Sequence, residues 1–108
     1  MNYMSFPGLK KRPNIKAEFI AEAVAEYCGT KVENLKTKGR YRDRVMARKL
    51  VFYFLKKHTK MNMRDIAQMF GFRGHATVTH ALNSLRDLRS VYPGIDADIL
   101  AIENKLTA

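Results

Sequence analysis

Apolar positions recur at helical intervals along most of the chain. Ile15, Phe19, Ile20, Ala23, Val24 and Tyr27 fall on one side of a helix, with Asn14 suited to cap its start and Gly29 to close its end. This spacing predicts a helix over 14–28, and Thr30–Leu35 adds a short turn that buries Val32 and Leu35. From Asp43 to His58 a second helix fits, with Met46, Leu50, Tyr53, Phe54 and Lys57 forming a continuous stripe. Its run from Leu50 to Leu55 is apolar on every side, as in a helix surrounded by others; a buried strand also explains that run.

Asn62 followed by Asp65 is a capping pattern, and Met63, Ile66, Ala67 and Phe70 give one apolar face to a helix over 62–70 that Gly71 closes. After the connection Gly71-Phe72-Arg73-Gly74, a helix over 75–90 buries Val78, Ala81, Leu82, Leu85 and Leu88. It turns Ala76, Thr79, His80, Asn83 and Asp87 outward, a small and polar surface that can approach base edges. Pro93-Gly94 ends this region, and Asp96 caps a last helix over 97–106 that uses Ile99, Ile102 and Leu106. The pattern is therefore all-α: a flexible basic arm at 1–13 and one compact helical domain at 14–108. Two helices joined by a short glycine turn make a helix-turn-helix.

Charge gives this corner a purpose. The chain of 108 residues carries a net charge of +10, a standing attraction for a polyanion. Between Lys36 and Arg64 stand Lys36, Lys38, Arg40, Arg42, Arg44, Arg48, Lys49, Lys56, Lys57, Lys60 and Arg64 against the single acid Asp43. That segment alone accounts for the whole excess. Other chemistries lack their residues. His75 and His80 are five apart and Cys28 has no partner cysteine, which argues against a metal site, and the scattered acids argue against a metal-dependent nuclease. No cofactor and no enzymatic activity are expected. No apolar run approaches membrane-spanning length, and the lone cysteine with no secretory-type leader points to a cytoplasmic protein.

The stretch Gly71-Phe72-Arg73-Gly74-His75-Ala76-Thr77-Val78-Thr79-His80-Ala81 resembles the Gly-Gly-Arg-Asp-His-Thr-Thr-Val-x-His-Ala signature of the C-terminal domain of DnaA, the bacterial chromosomal replication initiator. The likeness runs from about Ile20 to Leu88, including Val24-Ala25-Glu26-Tyr27, the basic stretch Lys38 to Arg44, Arg48, Lys56 and Ile66 to Phe70. It implies a helical, TrpR-like helix-turn-helix domain that binds double-stranded DNA in a replication- or transcription-related setting. By resemblance, Arg40 enters a minor groove, Arg48 and Lys56 contact DNA from the long central helix, and Arg73, His75 and Thr77 serve the turn and reading helix. Lys38, Arg42, Arg64, Ala76 and Thr79 complete the expected DNA-binding set.

The departures are specific. Gly74 stands where the family has aspartate, Ala76 where it has threonine, Phe72 at the second glycine, Arg64 at a usual proline and Lys49 at a frequent glutamine. A shifted target site is expected from Gly74 and Ala76. No Gly-x-x-x-x-Gly-Lys-Ser/Thr loop occurs, so no nucleotide binding is expected. The chain is then either a fragment or a stand-alone binder, and its arm and helical tail favour the second. The pattern leaves the oligomeric state open. Two alternatives remain: an RNA-binding or ribosome-associated basic protein, which charge alone fits equally well, and a protein-interaction module that has lost DNA binding.

Overall fold

In a computed structural model, the described residues are 15–36 and 42–107, with the side chains of Arg42 and Asp43 outside the description. Among them the chain forms six helices: α1 (Ala17–Tyr27), α2 (Val32–Leu35), α3 (Arg42–His58), α4 (Met63–Met69), α5 (Ala76–Val91) and α6 (Pro93–Thr107). The architecture is all-α, and α3 is its axis. It packs against α1, α2, α4 and α5, while α6 bridges α1 and α5. Leu50, Val51, Phe52, Phe54 and Leu55 are all buried, because a helix enclosed by four others has almost no solvent face to leave polar. The strand reading of this run is excluded.

Helix ends follow local chemistry. Asn62 and Asp65 form a reciprocal capping box: the Asp65 amide donates to Asn62 Oδ1 at 2.8 Å and the Asn62 amide to Asp65 Oδ2 at 3.3 Å. Replacing Asn62 with Ala is expected to cost about 1 kcal/mol, read as a lower urea midpoint with an unchanged slope. The α1 and α4 helices both end in the same way. Gly29 (φ 77°) and Gly71 (φ 82°) adopt the left-handed conformation, and the amides that follow, Thr30 and Phe72, each reach back 2.9 Å to a helix carbonyl, Ala25 and Ala67 respectively.

Two sequence expectations need correction, and a third falls on a residue that is not described. Phe19 and Tyr27 are 48% and 40% exposed, because the buried face of α1 is turned toward Ala21 and Ala25 and so away from Phe19, and Tyr27 is the last residue of the helix. The phenol of Tyr27 instead donates to Asp98 at 2.8 Å on α6. Asp96 does not cap the last helix, which already starts at Pro93; proline fits a first helical turn, where its missing amide hydrogen costs no bond. The Asp96 carboxylate accepts from Arg89 Nε at 2.6 Å instead. The cap expected of Asn14 lies outside the described residues, and α1 follows Lys16, whose side chain makes no cap bond.

Buried Ile95, Ile99, Ile102 and Leu106 seat α6 on the core. Polar contacts fix its register. Glu103 accepts from Lys57 Nζ at 3.2 Å and lies 3.0 Å from Nε2 of His58, a buried ring stacked on Phe54. The consequence for charge is that Lys57 and Arg89 already have carboxylate partners inside the fold.

Candidate nucleic-acid interface

The corner between α4 and α5 is built by the turn that ends α4. With Gly71 left-handed, the chain reverses and Phe72 drops back against the core, its ring edge-on to Phe52 at 6.4 Å. Arg73, Gly74 and His75 then project into solvent, as do Ala76 and Thr77 at the start of α5. Gly74 has no positive φ, and a Cβ built there meets nothing within 4 Å, so the backbone does not demand glycine. His75, rather than residue 74, is the N-cap of α5, and its side chain makes no cap bond. No acid occupies the first turn of α5, whereas α4 uses Asp65 in its own cap. The amide end of α5 therefore keeps its positive pole facing outward, flanked by Arg73 and His75.

Beside this corner runs the wall of α3. Val45, Arg48, Lys49 and Phe52 from α3 and Thr77, His80, Ala81 and Ser84 from α5 line a shallow groove of about 270 Å³. Arg48 is anchored from two directions: Nε donates to the Leu35 carbonyl at 3.0 Å, and the guanidinium carbon sits 5.9 Å from the centre of the Phe72 ring. Burial lowers its pKa from the ordinary arginine value, with the nearby charge of Arg44 adding to the effect. One turn beyond Phe52, the exposed Lys56 lines a second recess with Tyr53, Lys57, Leu82, Arg86 and Arg89. Among the described residues Lys49, Lys56, Arg64 and Arg73 form no ion pair, while Arg89 is held by Asp96, whose hydrogen bond raises its pKa.

Acidic residues collect elsewhere. Glu18, Glu22 and Glu26 follow one another along α1 and, with Glu33 of α2, line a different depression. Between Asp65 and Asp87 the sequence holds no acid. The α4–α5 corner is thus free of carboxylates from its own segment.

The expected site residues do not all meet. Arg48 and Thr77 share the groove; Arg73, His75 and Ala76 cluster at the corner; Lys56 lies further along α3, and Arg64 is exposed in the first turn of α4. Thr79 departs from the outward face expected of it. It is half-buried, and its hydroxyl donates 3.2 Å to Met63 Sδ on α4 and 3.1 Å to the His75 carbonyl, because α4 covers that side of α5. Lys38 and Arg40 lie outside the described residues, and Arg42 begins α3 with its side chain undescribed. Two groove residues, Val45 and Ser84, carried no functional signal in the sequence, and the contact of Phe72 with Arg48 was hidden too. Its one trace is the apolar residue just after a helix-ending glycine, a place that commonly folds back on its helix.

Comparison with known proteins agrees with this geometry. The family described as "Bacterial dnaA protein helix-turn-helix" matches residues 17–85, which span α1 to most of α5. The chromosomal replication initiator protein DnaA of Nitrosomonas europaea is 36% identical over 88 residues, covering 82% of this chain and 19% of that protein. Its counterpart in Thermodesulfovibrio yellowstonii is 34% identical, covering 86% of this chain and 21% of the relative, and that of Chloroflexus aggregans is 28% identical, with coverage of 92% and 21%. The chain spans about a fifth of the length of these relatives. Among the described residues no helix is long and apolar enough to cross a membrane, and no group of three or more His, Cys, Asp or Glu could hold a metal ion.

Proposed function

The chain belongs to the family of bacterial DnaA helix-turn-helix domains, and on that premise we propose that it binds double-stranded DNA with a sequence preference, in a replication- or transcription-related role. The observation that carries this reading is the exposed corner Arg73-Gly74-His75-Ala76, whose own segment holds no carboxylate, standing beside a basic row on α3. A helix end with outward amides and small first residues can enter a major groove, while cations on the adjoining helix meet the phosphates that flank it. Arg48, Lys56, Arg64 and Arg73 supply backbone affinity in this arrangement; His75, Ala76 and Thr77 face the bases. Thr79 contributes by fixing the first turn of α5 onto α4. The minor-groove role of Arg40 is carried over from the resemblance alone, with Lys38 and Arg42 two residues to either side of it in the sequence.

Gly74 and Ala76 shape the preference. Neither presents a hydrogen-bonding side chain, so discrimination at the bases they face rests on shape and on the Ala76 methyl, which suits contact with a thymine methyl. The preferred site therefore differs from one read by aspartate and threonine at these positions.

Selection from random duplexes followed by anisotropy titration tests the proposal; failure to bind any duplex pool at low salt, or single-stranded RNA competing better than duplex, ends it. Two substitutions separate the roles. Arg48→Ala is expected to weaken every duplex alike by about 1.5–3 kcal/mol, the range for a charge-assisted hydrogen bond. His75→Ala is expected to leave non-specific affinity nearly intact and to reduce discrimination between the selected site and its single-base variants by about 1–3 kcal/mol. Identical profiles for the two variants would contradict the division.

A further inference from the structure

Phe72 occupies a turn position where the resembled signature has glycine, and its ring touches something a glycine could not. Its backbone is held by the amide bond to the Ala67 carbonyl at 2.9 Å, immediately after the left-handed Gly71. The ring is held by Phe52, edge-on at 6.4 Å with planes 85° apart. Both ends of the residue are therefore held by contacts other than Arg48. The Arg48 guanidinium lies 5.9 Å from the ring centre, while its Nε is bound to the Leu35 carbonyl at the last residue of α2.

We propose that Phe72 is a positioning residue for DNA binding, a rigid aromatic seat that holds the Arg48 guanidinium at the groove between α3 and α5. This rests on the DNA-binding reading above. An unsupported arginine has many rotamers and must be ordered on binding, at a cost in affinity; a side chain already ordered in the free protein avoids much of it. The aromatic seat suits a cation because the ring face is electron-rich, and it suits arginine in particular because the planar guanidinium can lie over it. The seat also ties the turn to the central helix: one arginine spans the end of α2, the middle of α3 and the residue after Gly71. The cation that meets the backbone is thereby placed by the same turn that presents Arg73 and His75.

Two readouts on the full chain test this. In the free protein, the Arg48 Nε–H signal in ¹H–¹⁵N NMR is expected to exchange slowly with water, and Phe72→Leu is expected to speed that exchange, since leucine keeps an apolar contact with Phe52 and removes the ring face. Phe72→Tyr keeps the ring and should restore slow exchange. In duplex titrations, Phe72→Leu is expected to lower affinity about two- to fivefold, the worth of an exposed cation–π contact, and to lower it no further in an Arg48→Ala background. Equal losses in both backgrounds, or an Nε–H signal indifferent to Phe72→Leu, overturns the proposal. Thermal midpoints of each variant separate loosened packing from lost positioning. If the wild-type chain binds no duplex, the functional reading fails on its own, and the Nε–H comparison still decides whether Phe72 seats Arg48.

Discussion

Replacing Phe52 with Ala is expected to remove about 3–5 kcal/mol of folding stability, the usual cost of deleting a large buried aromatic ring. Phe52 is fully buried at the centre of α3, meets Phe70 edge-on at 5.5 Å and Phe72 at 6.4 Å, and forms part of the groove lined by Arg48 and Thr77. Two rings, Phe70 and Phe72, would lose their common neighbour. Phe70 is the C-cap of α4 and Phe72 follows Gly71, so the cavity would open directly under the turn and could not close without moving the corner. A domain of this size is stable by only about 5–15 kcal/mol, so the substitution should consume a large part of the margin. Urea denaturation monitored by far-UV circular dichroism checks this: a much lower midpoint with little change in slope is expected. A loss below about 1 kcal/mol would mean that the core refills the space, contrary to the close packing inferred for α3, α4 and the turn.

The parts of this fold that were legible in the sequence are those whose causes are local. The Asn62–Asp65 box and the closing role of Gly71 need only a few adjacent residues, and both stand as expected. The central position of α3 was legible because a run apolar on all sides has no other stable environment than among neighbours. Where the outcome depends on which partner covers a face, the pattern was ambiguous. Pro93 reads equally well as the end of one helix or the first turn of the next; burial of Ile95 on the core settles the second. Thr79 sits close in angle to the exposed arc of α5, and only the presence of Met63 on α4 turns its hydroxyl inward. The site shows the same division. The exposed corner was readable from the glycine turn and the polar residues after it. The anchoring of Arg48 was not, because two of its partners, the Leu35 carbonyl and the Phe72 ring, come from distant segments and one of them is backbone.

Salt is expected to have the largest effect on the proposed activity. Each phosphate neutralised by a cation releases condensed counterions, so the logarithm of affinity should fall with the logarithm of salt by about 0.9 per contact. With Arg48, Lys56, Arg64 and Arg73 each meeting one phosphate, the slope is about −3.6, and raising salt from about 50 to 200 mM lowers affinity roughly 150-fold. If Lys38, Arg40 and Arg42 add one contact each, the slope steepens to about −6.3 and the loss grows to several thousandfold. Wild type alone therefore reports how many cations engage, and its difference from the combined Lys38→Ala, Arg40→Ala, Arg42→Ala variant reports how much residues 38–42 contribute. Anisotropy titrations of the selected duplex across that range measure both. Base contacts by His75, Ala76 and Thr77 release no counterions, so the ratio of affinities for the selected site and a scrambled duplex should change far less with salt than either affinity does. A wild-type slope near zero would contradict an interface built on Arg48, Lys56, Arg64 and Arg73. A ratio collapsing in parallel with affinity would contradict the assignment of sequence preference to the start of α5.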